Sequence, residues 1–134
     1  MKHGEIVRVK NVMKTHFDLI HGIETVEDAL RKAKHLETEC LLVDRRNDDD
    51  EYGIVLLADI AKKVLGADKA PDRVNVYEIM SKPVISVDPD MDIRYCARLF
   101  ERFGLTLAPV MQNRTVVGVV SYRDIVLHGL RDRL

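Results

Sequence analysis

The feature that most constrains this chain is an internal repeat. Val9, Val12 and Met13 recur as Val76, Ile79 and Met80, and Val26, Ala29, Leu30, Ala33 and Leu36 recur as Ile93, Cys96, Ala97, Phe100 and Phe103, each 67 positions on. Past the turn from Arg45 to Tyr52 the offset falls to 65, so the first copy carries a loop two residues longer. Self-similarity at a fixed spacing marks one supersecondary unit used more than once. Two copies account for all 134 residues. The join falls near Gly66 to Val74, where Gly66, Asp68 and Pro71 interrupt regular structure. The expected division is therefore 1–66, a first repeat with its lead-in, and 67–134, a linker with the second.

Within each copy the pattern reads β-α-β-β-α. Short strands are expected at Phe17 to Ile20 and at Val84 to Val87. Thr25, with Asp28 three residues later, opens the first main helix, and Val87-Asp88-Pro89-Asp90 turns the chain into the second. The recurring apolar positions are spaced i, i+3, i+4, i+7 and i+10, one buried helical face. Gly104 closes the second helix as a left-handed cap. Hairpins follow, Cys40 to Asp44 with Gly53 to Leu56 and Leu107 to Met111 with Val116 to Val120, and closing helices begin near Asp59 and Asp124.

Gly118-Val119-Val120-Ser121-Tyr122-Arg123-Asp124 places a complete strand-to-helix turn in seven residues. Ser121 followed by Asp124 is first of all a helix N-terminus, the hydroxyl accepting a free backbone N–H and the acid sitting in the positive end of the helix dipole. Its copy, Gly53-Ile54-Val55-Leu56-Leu57-Ala58-Asp59, keeps the glycine and the acid but has Leu56 in place of the hydroxyl. Retention of Asp59 without its capping partner suggests work beyond a cap.

The Val-Met or Ile-Met lead-ins, Pro109-Val110 opening a strand and the Gly-x-x-Ser-x-x-Asp turn, in register from about Val9 to Leu130, resemble a tandem pair of cystathionine β-synthase (CBS) domains, a Bateman module. The resemblance implies an α+β fold of two β-α-β-β-α repeats about a pseudo-two-fold axis. It also implies two clefts between the repeats that accept AMP, ADP, ATP or S-adenosylmethionine as regulatory ligand rather than cofactor. In such modules the acid of the turn holds both ribose hydroxyls, which a carboxylate does well, and a helix N-terminus favours phosphate. Carried over, Asp124 and Ser121 hold one ribose with Arg123 near a phosphate, and Asp59 holds the other unaided. The base edge opposite Asp124 falls to His16, Phe17 and Asp18 with Thr38 and Cys40. Opposite Asp59 it falls to Pro83, Val84 and Ile85 with Leu105, Leu107 and Pro109. Leu42 and Leu56 depart from the family's usual proline and Ser/Thr.

The rest of the sequence narrows the field. A formal charge of −1 supplies no field for nucleic acid or an acidic membrane. Cys40 and Cys96 each lie in an apolar-periodic segment and read as small buried hydrophobes in a reducing compartment. Met1 to Glu5 lack the apolar run of a signal peptide, so a cytoplasmic location is expected. His3, His21, His35 and His128 are scattered, and no P-loop, Gly-x-Ser-x-Gly or His-Glu zinc motif is present, so neither an enzyme nor a metal site is expected. Asp48-Asp49-Asp50-Glu51 reads as a solvated turn. Ile60, Val64, Leu65, Ile125, Val126 and Leu130 offer apolar helix surface for a homodimer. The expectation is a stand-alone, non-catalytic ligand sensor that signals to a client protein. The alternative is a ligand-free dimerisation or interaction module, which a thermal-shift screen with adenine nucleotides separates from it.

Overall fold

The computed structural model describes residues 4–134; His3 lies outside them. The chain forms two compact units, Phe17–Val84 and the described residues up to His16 joined with Ile85–Leu134. The units are cut differently from the sequence repeats. Each takes its lead-in from the other repeat.

In the 17–84 unit, β1 (Leu19–Ile20) runs parallel to β2 (Cys40–Val43), which pairs antiparallel with β3 (Gly53–Leu56) in the order β1-β2-β3. The crossover carries α1 (Val26–Lys32), opened as expected by the Thr25 hydroxyl, which accepts the Asp28 N–H at 3.1 Å. This helix stops sooner than the apolar spacing predicts, and Leu36 lies in a separate 3₁₀ turn. The Asp18 carboxylate accepts the N–H groups of Lys34 and His35 at 2.8 and 2.9 Å, donors that a continued helix would direct to the carbonyls of Leu30 and Arg31. All four β2 residues are buried. After α2 (Leu57–Ile60) the chain widens into a π turn, Ala61–Leu65, and later forms α3 (Val76–Ile79). Ser81 then joins the sheet through two backbone bonds to Ile54, of 2.9 and 3.0 Å. The acidic turn is not simply solvated: Asp50, half-buried, is held between Lys82 at 2.6 Å and Arg46 at 3.0 Å, and these hydrogen bonds, Arg46 foremost, hold its carboxyl well below the usual range.

The other unit contains α4 (Ile93–Phe103), β4 (Leu107–Gln112), β5 (Thr115–Ser121) and α5 (Tyr122–Gly129). Asp92 caps α4 by accepting the Arg94 N–H at 2.9 Å, and Gly104 ends it at φ 67°. The buried stripe is Ile93, Cys96 and Phe100. Phe103, the last residue of α4, is exposed and does not extend that stripe. Asn113 and Arg114, both at positive φ, make the two-residue turn of the β4–β5 hairpin. The strand expected at Val84 to Val87 shrinks to one residue, Val87, which bridges to Val110 in parallel. Pro83 and Pro89 bracket the segment and neither has an N–H for a ladder. The lead-in closes the unit: Val7, Val9 and Val12 are buried with Phe100 and Val120, and Lys14 pairs antiparallel with Val119.

Both cysteines are buried and neither is in a disulfide, as their sequence context suggests, and burial pushes the Cys96 thiol up to about 11. The six apolar residues of the closing helices divide evenly. Ile60, Val64 and Ile125 belong to the cores, whereas Leu65, Val126 and Leu130 are exposed. Among the described residues no helix is long and apolar enough to cross a membrane.

Candidate functional site

The Ser121–Asp124 turn is built by β5 running straight into α5. Ser121 holds an extended backbone (φ −125°, ψ 167°), which frees its side chain to cap the helix. The Ser121 hydroxyl accepts the Asp124 N–H at 3.2 Å, and Asp124 Oδ2 accepts both the Ser121 N–H and the Ser121 hydroxyl at 3.0 Å. The expected capping box is present with aspartate in the acid position. Asp124 is only 2% exposed, and a carboxylate that deep needs a counter-charge. Lys14 supplies it, its ammonium donating to Asp124 Oδ1.

The lead-in explains how a residue so distant in sequence arrives there. Backbone bonds of 2.9 Å in each direction join Lys14 to Val119, two residues before Ser121. The approach is close because position 118 is glycine; a Cβ there would stand 2.6 Å from the Lys14 carbonyl oxygen and 2.8 Å from Met13 Sδ. The methionine of the lead-in and the glycine of the turn therefore form one contact. The same fit recurs in the 17–84 unit, where a Cβ on Gly53 would meet Met80 Sδ at 2.8 Å and the Ser81 carbonyl oxygen at 3.3 Å. Sequence reasoning did not assign Lys14. The signal lay in the repeat: the lead-in is followed by Lys14 in one copy and Ser81 in the other, and only the lysine meets an intact turn.

The copied turn keeps half of the box. Asp59 Oδ2 accepts the Leu56 N–H at 2.9 Å, which needs no side chain at Leu56, and Lys63 stands 4.0 Å from Oδ1. The survival of Asp59 thus has a structural explanation, and the inference of further work from its survival alone falls away. At 20% side-chain exposure it is more open than Asp124.

The remaining candidates are divided between the units. His16 shares a unit with Asp124 and is exposed, its Nδ1 3.5 Å from the Thr15 hydroxyl. Phe17, Asp18, Thr38 and Cys40 belong to the other unit. Both Asp18 oxygens are engaged by backbone, the buried Thr38 hydroxyl donates to the His35 carbonyl at 2.9 Å, and Cys40 is interior. Pro83, exposed, and Val84, half-buried, lie in the unit of Asp59; Ile85, Leu105, Leu107 and Pro109 lie in the other, the last two buried. Arg123 is exposed and makes no ion pair among the described residues. The 17–84 unit also contains a cavity of about 670 Å³, lined by His21, Ile23, Asp44, Arg45, Tyr77 and Lys82 among others. None of the expected ligand residues lines it.

The sequence model of the CBS domain matches residues 76–130. The structure superposes on a hexameric CBS-CP12 protein from bloom-forming cyanobacteria with a TM-score of 0.88 and 34% identity, covering 96% of this chain and 74% of that one. The chain belongs to the CBS-domain family. It is also similar to the CBS domain pair of protein MJ0100, solved in complex with 5′-methylthioadenosine and S-adenosyl-L-methionine: TM-score 0.76, 25% identity, 95% of this chain and 99% of that one. An uncharacterized protein of Methanopyrus kandleri is 32% identical over 113 residues, 81% of this chain. The chain spans 57% of the length of that relative and 24% of a homoserine O-acetyltransferase of Methanococcus vannielii, with which it is 27% identical over 120 residues, 87% of this chain.

Proposed function

We propose that this chain is a non-catalytic regulatory module that binds an adenosine-containing nucleotide at the Ser121–Asp124 turn and passes the occupancy to a client protein. The observation that carries the reading is a buried carboxylate at a helix N-terminus with a serine hydroxyl bonded to it, on a fold whose relative MJ0100 was solved with two adenosyl ligands. A carboxylate in that place accepts two ribose hydroxyls, and the N-terminus of α5 with Arg123 beside it favours a phosphate. The Asp59 turn is the weaker site, since it has Leu56 in place of the hydroxyl and Ala58 in place of Arg123. A lost hydrogen bond to a charged group is worth about 1.5–3 kcal/mol, roughly ten- to a hundredfold in affinity.

Calorimetric titration of AMP, ADP and ATP into wild type, Asp124→Asn and Asp59→Asn tests the reading. The tighter binding is expected to disappear with Asp124→Asn and to survive Asp59→Asn. Reversal of that order would assign the site to the other turn. A ligand-free interaction module is the second reading, favoured by the exposed Leu65, Val126 and Leu130. It takes precedence if no adenine nucleotide binds wild type. Either reading is compatible with a two-fold homodimer through those helices, which light scattering at tens of micromolar reads directly.

A further inference from the structure

We propose that Lys14 is a competitor built into the Asp124 site, and that it makes the site select phosphorylated nucleotides over uncharged nucleosides and cationic adenosyl compounds. This rests on the reading of Asp124 as the ribose acceptor, but its own ground is separate. Asp124 Oδ2 is taken by the N–H and hydroxyl of Ser121, and Oδ1 by the ammonium of Lys14. With the carboxylate 2% exposed, no ribose reaches it until the lysine leaves.

The backbone of Lys14 is fixed by its two bonds to Val119, whereas its side chain is 29% exposed and ends four methylenes away. The ammonium is therefore the part that moves. Once off Asp124, it is a half-buried cation without its partner, and the ligand decides the cost. A nucleoside gives the ammonium nothing in return. A phosphate gives it an anion with several acceptor oxygens, at the helix end where phosphate is already favoured. A sulfonium-bearing ligand places a second cation beside it.

The test is calorimetric titration of adenosine and AMP into wild type, Lys14→Gln and Lys14→Arg. Glutamine keeps a neutral donor for Asp124, so the buried carboxylate is not orphaned, and thermal melts verify that each variant folds. Wild type is expected to bind AMP at least about tenfold more tightly than adenosine. With Lys14→Gln adenosine binding should strengthen and AMP binding weaken, bringing the two within about threefold, while Lys14→Arg keeps the preference. A change in stability alone would shift both affinities together and leave their ratio where it was. If both ligands bind Lys14→Gln with the wild-type ratio, the role of Lys14 is overturned and the ribose reading stands. If neither ligand binds wild type or Lys14→Gln, the ribose reading fails and takes the inference with it.

Discussion

Gly118 and Gly53 look interchangeable in the sequence, yet their surroundings differ in what can yield. A Cβ at 118 meets a backbone carbonyl at 2.6 Å, whereas the nearest atom at 53 is the sulfur of a methionine, with the Ser81 carbonyl at 3.3 Å. Overpacking a tight core site costs about 1–3 kcal/mol. Gly118→Ala should fall at the upper end and Gly53→Ala at the lower, a difference that denaturant melts of the two variants resolve. Gly118→Ala should also loosen Lys14 from Asp124, since the displaced lead-in segment is the one that carries it. Asp50 makes a second prediction at this scale. Its carboxyl is depressed by Arg46 and Lys82, so its contribution to stability is present above the unfolded value of about 4 and fades as pH falls through the folded one. Melting wild type and Asp50→Asn from pH 7 down to pH 2 should show the wild-type advantage shrinking below about pH 4. An advantage that is flat across that range would assign Asp50 a role independent of its charge.

The elements show how a repeat with one pattern is realised twice with different lengths. α4 runs eleven residues and α1 seven, because Asp18 takes the backbone donors that would have continued α1 and no acid occupies the equivalent place before α4. Asp18→Ala should therefore lower stability at the C-terminal end of α1, read as faster amide exchange at Lys34 and His35. N-caps were legible from sequence because they are local: Thr25 with Asp28 and Ser121 with Asp124 are read from spacing alone and form the expected bonds. Replacing either hydroxyl by alanine should cost about 1 kcal/mol. What was not legible depends on chain segments far apart. The ion pair of Lys14 with Asp124 joins residues 110 positions apart, and that of Asp50 with Lys82 joins residues 32 positions apart. The strand expectation at Val84 to Val87 was overlong: β-branched residues promised a strand, but only Val87 finds a partner, in Val110.

For the whole molecule, the decisive arrangement is the traded lead-in. Val7, Val9 and Val12 fill the core around Phe100, and the segment ending at Ser81 completes the sheet of β3. Removing residues through Lys14 should therefore unfold the unit containing Asp124 while leaving amide protection in residues 17–84. Hydrogen exchange on the shortened chain checks this, and protection lost from 17–84 to the same degree would refute it. The arrangement also sets an order of events during synthesis. Residues 17–84 are contiguous and complete their own sheet once Ser81 has emerged from the ribosome. The segment that carries Lys14, made before that unit, has nothing to close on until Val119 exists, so it settles late and closes a loop that contains the whole of residues 17–84. The cation that seals Asp124 is thus made 110 residues ahead of the acid and waits for it.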